Sequence, residues 1–194
     1  MASLIVAGDT SGSVTIAAPA VASTPTLTLP TVSGTFITTA SSGQSIPSAA
    51  LPTGSVLQVV QASYSTEVTS SSLTFADTGL SASITPTSSS SKILIIVNHP
   101  ECYKSQGNTE NALRLNICRN GSQIVNFNHS LGYQASASRL SFSTSYTYLD
   151  SPATTSSTTY KTQFAQGEGG NSLVSVQWYG SDSPSRITLM EIAA

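Results

Sequence analysis

RLSFSTSYTYLD, residues 139–150, alternates without a break: Leu140, Phe142, Thr144, Tyr146 and Tyr148 fall on one side of an extended chain, Ser141, Ser143, Ser145 and Thr147 on the other. A period of two is the mark of a strand with one dry and one wet face. KILIIVN (92–98) is apolar on both sides, which predicts a central strand covered on both faces. Outward from these two, the chain from Ser55 on reads as a series of short strands: SVLQVVQAS (55–63), SLTFAD (72–77), LSASITP (80–86), ALRLNICRN (112–120), SQIVNFNH (122–129), TTYKTQFAQ (158–166), SLVSVQWYG (172–180) and RITLMEIAA (186–194). In LVSVQWYG, Val174, Val176 and Trp178 are expected to share a face.

Turn signals fill the gaps: DTG (77–79), SSSS (88–91), RNGS (119–122), GEGGN (167–171) and SDSPS (181–185). Asn120-Gly121 between alternating runs predicts a two-residue type I′ hairpin. No segment holds a 3.6-residue apolar period, so almost no helix is expected. About ten strands in this length fit an all-β, jelly-roll-like antiparallel β-sandwich.

Composition supports the same class. Only 8% of the 194 residues are charged, whereas serine and threonine fill roughly a third. Disorder normally comes with high net charge, and here it is −2 with abundant Val, Ile and Thr. A surface so short of charge does little to keep copies apart. The pI of about 5.5 and seven Lys plus Arg exclude a basic stripe for nucleic acid. The start, MASLIVAGDTSG, lacks a basic n-region, so no signal peptide is expected, and no apolar run is long enough to span a membrane. Synthesis in a cytoplasm follows.

From Met1 to Thr66 the one charged side chain is Asp9. Short apolar runs, SLIVAG (3–8), SVTIAAP (13–19) and PTLTLP (25–30), lie between Gly, Pro and Ser; SVTIAAPAV and TLTLPTV read as two copies of a strand-then-proline unit. None can close a core alone. Residues 1–54 are therefore expected to be an extended, strand-forming N-terminal arm that orders on other chains, and 55–194 the sandwich head. A flexible linker is the alternative for 1–54, against which the density of Leu, Ile and Val stands.

The search for chemistry yields little. His99 and Cys102 stand three apart in NHPEC (98–102), but nucleophile and base are usually brought together by the fold, and His99 is expected to be a surface loop residue. His129 reads the same way. Two Cys and two His do not supply a zinc site. If 92–98 and 112–119 form a hairpin, Cys102 and Cys118 lie too far apart for a disulfide, leaving Cys118 a small core residue and Cys102 a free loop thiol. Asp77, Asp150, Glu168 and Asp182 sit at turns or strand ends, where solvated caps are expected and not a glycosidase pair. GEGGN opens no helix and cannot cradle phosphate; it is expected to be a hairpin loop. No catalytic residue, metal or cofactor is expected. The longest irregular loop, HPECYKSQGNTENA (99–112), carries Tyr103, Lys104 and Glu110, a candidate recognition loop for glycan or protein.

GSVLQVVQASYSTE (54–67), LSASITPTSSSSKILIIV (80–97), TYLDSPATTSSTTYK (147–161) and RITLMEIAA (186–194) together resemble small virion structural proteins of tailed bacteriophages of aquatic bacteria, of tail-fibre or head-decoration type. GDTSGSVTIAAPAVASTPTLTLPTVSGTF (8–36) is similar to segments of phage structural and fibre proteins. The resemblance implies a homotrimer of β-sandwich heads like tumour-necrosis-factor or C1q modules, and brings no catalytic residues with it. It implies a non-enzymatic fibre or spike component on the virion surface, partnered by capsid or tail and baseplate proteins. Alternatives are a capsid decoration (cement) protein, present in more copies, and a module that binds host surface glycan. A depolymerase would need carboxylates that this chain scarcely has.

Overall fold

The computed structural model describes residues 3–7, 13–17, 51–105, 111–133, 139–167 and 173–194. The chain divides into two units, Met1–Gln44 and Ser45–Ala194. In the first, β1 (Ser3–Ala7) and β2 (Ser13–Ala17) pair antiparallel, with Leu4 opposite Ile16 and Val6 opposite Val14. The third apolar run of the expected arm, at 25–30, and with it the second strand-then-proline copy, lies outside the described residues.

The second unit is an antiparallel β-sandwich, as the alternation predicts. Sheet one runs β3 (Val56–Tyr64), β12 (Ser185–Ile192), β6 (Lys92–Lys104) and β9 (Leu140–Asp150); β11 (Val174–Val176) and β4 (Val68–Ser70) continue beside the far end of β6. Sheet two runs β5 (Ala76–Ile84), β10 (Thr158–Gln166), β7 (Leu113–Arg119) and β8 (Ser122–Leu131). Among the described residues the one helical turn is a 3-10 helix at Gly180–Asp182.

Alternation places the core between the sheets. Ile93, Ile95 and Val97 of β6 meet Ile187 and Leu189 of β12, with Leu80, Ile84, Ile117 and Tyr160 of sheet two closing over them. A second cluster at the other end holds Cys102, Leu113, Leu115, Phe164, Val174 and Val176. Each fully buried large apolar side chain is worth about 1.5–3 kcal/mol relative to exposure. Polar ties join the layers. Asp150 of sheet one accepts from Arg119 at 2.9 Å and from the Tyr160 hydroxyl at 2.7 Å, both of sheet two, and Asn128 donates to Thr144 at 2.6 Å. Asp150 is thus no solvated cap.

Several local expectations change. Asn120 and Gly121 both take positive φ, 48° and 85°, as a type I′ turn requires. DTG (77–79) does not turn the chain: β5 runs through it, because Gly79 at φ 85° absorbs a register shift opposite Lys161 and Gln163. The strand expected at 72–77 therefore starts at Ala76, and the short β4 precedes it. Strands β6 and β7 do not form a hairpin. They lie in different sheets, β6 between β12 and β9, β7 between β10 and β8. The hairpin expected at GEGGN is not formed, because β10 and β11 lie in different sheets; residues 168–171 themselves fall outside the described residues.

Candidate functional site

Three places on the sandwich concentrate features that a plain core does not need. The first is the outer face of sheet one. Register sets Val59 beside Met190, Met190 beside Leu94, and Leu94 beside Leu149, an apolar row across four strands. The next row along is Gln61, Thr188, Ile96 and Thr147. Val59 is 56% exposed and Leu149 48%. KILIIVN is thus central in its sheet as expected, but only its inner face is covered by described residues.

The outer face of sheet two is different in kind. Asp77, Ser81 and Ser83 of β5 stand beside Gln163, Lys161 and Thr159 of β10. Lys161 pairs with Asp77 at 2.7 Å, Gln163 donates to the same carboxylate, and the Ser83 and Thr159 hydroxyls bond each other. Burial alone would raise the Asp77 pKa, but these bonds and the Lys161 charge hold it below the usual value. Cys118 is buried as expected yet lies on this side, beneath Asn116 and Gln163, and not between the sheets. The outer face of sheet two carries paired charges and hydroxyls. That of sheet one carries one apolar row among polar ones, with Gln61, Thr188 and Thr147 beside it and exposed Lys92, Arg186, Asn98 and Ser145 further along.

The second place is buried. His99 Nδ1 lies 2.7 Å from Ser185 Oγ and Nε2 lies 3.2 Å from Thr162 Oγ1, which bonds Thr78 at 2.6 Å. Gln177 donates to Ser185 at 2.9 Å. The surface position expected for His99 is wrong, because β6 continues past Pro100 to Lys104 and turns the ring inward. Burial lowers its pKa to about 4, so it is neutral at pH 7. Ser185 and His99 have the spacing of nucleophile and base, but both are wholly buried, and the second ring nitrogen faces a threonine hydroxyl instead of a carboxylate. The arrangement locks the two sheets; it offers no route to a substrate.

The third place gathers aromatic rings at the far end of β6. Tyr103 stacks on Trp178 at 3.9 Å between centroids, and Tyr179 stands edge-on to Trp178 at 6.4 Å. Arg139 Nε donates to the Tyr103 hydroxyl at 2.8 Å. Trp178 does not share the inward face of Val174 and Val176. Strand β11 ends at Val176, and Gln177 takes φ 60°, a left-handed conformation that breaks the alternation.

This geometry revises the candidate recognition loop. Tyr103 is 5% exposed, in a strand, and forms the floor of the aromatic cluster. Lys104 is also in the strand and fully buried; among the described residues its ammonium has no hydrogen-bond partner, and burial lowers its pKa. Glu110 lies outside the described residues. Cys102 carries a free thiol, but in the core and not in a loop, and burial pushes its pKa up to about 12, far from a nucleophile. His129 sits on β8, within reach of the Ser130 hydroxyl. Among the described residues no three His, Cys, Asp or Glu side chains gather as a metal site would need.

No protein-family model matches the chain, and no curated protein matches it. Among solved structures it is similar to the crystal structure of the infectious bursal disease virus VP2 subviral particle, with a TM-score of 0.40 and 12% identity over 71% of this chain. The chain spans 37% of the length of that one.

Sequence reading places Trp178 on the inward face and singles out neither Arg139 nor the Val59–Leu149 row. The row had a signal in the doubly apolar KILIIV. Trp178 had none, since glutamine does not announce a left-handed turn.

Proposed function

We propose that this chain is a non-enzymatic structural subunit of a tailed-phage virion, a fibre or spike component whose heads associate as a homotrimer through the outer face of sheet one. The observation that carries the reading is the contrast between the two outer faces. An apolar row crosses one, with Lys92, Arg186 and hydroxyl side chains but, among the described residues, no acid elsewhere in the paired rows of that face. A paired Lys161 and Asp77 and hydroxyls dress the other. Exposed contiguous apolar surface of this kind marks contact with another protein. Cyclic closure of identical copies covers such a face without leaving an open end that would grow into a filament. The resemblance to small phage virion proteins supports the setting, and the buried state of His99, Ser185 and Cys102 supports a structural and not a catalytic role.

The test is the mass of the full chain in solution, by sedimentation or light scattering, beside Leu94→Lys and Leu149→Lys. A trimer that becomes a folded monomer in either variant is expected. A wild-type monomer at micromolar concentration overturns the reading. Counting copies per particle then separates a fibre, in tens, from a decoration protein, in hundreds.

A further inference from the structure

We propose that the Trp178–Tyr179 corner, floored by Tyr103 and rimmed by Arg139 and Ser141, is a binding platform for a pyranose unit of a glycan. The chain's only tryptophan is brought to a partly exposed position by a left-handed backbone turn. Had β11 continued, residue 178 would have joined Val174 and Val176 in the core. Instead Gln177 adopts φ 60°, a conformation costing on the order of 1–3 kcal/mol for a residue other than glycine. It is held there by its own bond to Ser185 and by the Trp178 N–H donating to the Glu101 carbonyl at 3.1 Å.

The result is a preorganised shape. One face of Trp178 is covered by Tyr103, and the residue as a whole is partly exposed. Tyr179, 59% exposed, stands at 79° to it, giving two aromatic planes that meet as a corner. The rim is polar. Arg139, anchored by Nε, keeps its two Nη groups as donors, and exposed Ser141 is the cross-strand neighbour of Tyr103.

A pyranose matches this arrangement. Its axial C–H face is apolar and lies flat on an aromatic ring, and its equatorial hydroxyls project sideways, where donors and acceptors must meet them. A nucleobase would stack as well, but its phosphates would find one guanidinium and no basic track. An aliphatic peptide side chain would need a pocket in place of an open corner.

The sole tryptophan supplies the readout. Full-length protein is excited at the red edge, where tyrosine does not absorb, and titrated with methyl glycosides of glucose, galactose, mannose and N-acetylglucosamine. A second arm uses glucuronate and N-acetylneuraminate, which separates neutral from acidic sugars. A saturable change in emission at millimolar concentration is expected with at least one of them. Tyr179→Ala and Arg139→Ala are each expected to weaken that sugar about tenfold, with circular dichroism and oligomeric state unchanged. No saturable change with any sugar overturns the proposal, as does wild-type affinity in both variants. A variant that loses its trimeric state identifies the corner as a subunit contact and overturns it too. Because mass is read on the same samples, failure here stays distinct from failure of the assembly reading.

Discussion

His99 carries the clearest consequence of a single side chain placed where water cannot reach it. In the unfolded chain its pKa is near 6.5; folded, it is about 4. The unfolded state therefore takes up a proton between those values that the folded state refuses, so stability is full above pH 6.5 and falls as pH drops toward 4. The loss should reach about 3 kcal/mol. Chemical denaturation at pH 7 and pH 5 should read about 2 kcal/mol of it, the rest going below pH 5, and His99→Gln should flatten the slope between them. Glu191 acts lower on the scale. Burial alone would raise its pKa, but bonds from Gln58 and from the Thr87 N–H and hydroxyl hold it below the usual value, so its contribution goes only at more acidic pH. Neither burial was legible in the sequence, because a histidine before a proline looks like a loop.

Strands were read well where alternation was clean and badly where a single backbone angle overrode it. β10 matches its expected span residue for residue, and the β7–β8 hairpin follows from Asn120-Gly121. Gly79 and Gln177 are the counter-examples, one a bulge read as a turn, the other a turn read as strand. Gly79 is testable. A Cβ there would stand 2.2 Å from the Tyr64 ring, at a φ of 85° that L side chains rarely adopt. Gly79→Ala should cost about 2 kcal/mol or more and lower the melting temperature by several degrees. Pairing across sheets was equally hidden. Alternation says which residues face inward but not which strand lies alongside, so β6 and β7 were joined in expectation although sheet one takes the first and sheet two the second.

At the scale of the molecule, low charge and unequal faces act together. On sheet two Lys161 pairs with Asp77, and Arg114 is turned to backbone carbonyls and the Phe75 ring. The apolar row on sheet one carries no charge itself, with Lys92 and Arg186 as the cations on that face. Association driven by that row should hardly respond to added salt, since there is little charge to screen. It should respond to concentration: anything that binds only the folded chain raises its stability by mass action. Melting temperature is therefore expected to rise when wild-type protein is concentrated a hundredfold and to stay constant for Leu94→Lys. A flat response in the wild type would remove the linkage. The sequence hinted at this level through composition alone.

The start and end of the sandwich are hydrogen-bonded to each other: the Gly54 N–H donates to the Ala193 carbonyl at 2.8 Å, and the Ala193 N–H to the Ser55 carbonyl at 2.9 Å. The fold is in this sense a loop that happens to be cut at one corner. Rejoining it there with a few flexible residues and cutting instead at the Asn120-Gly121 turn would give a circular permutant with every strand partner retained. In such a chain the new ends would emerge from the tip of β7 and β8, so a cargo could be carried on the hydroxyl-covered sheet, away from the apolar row.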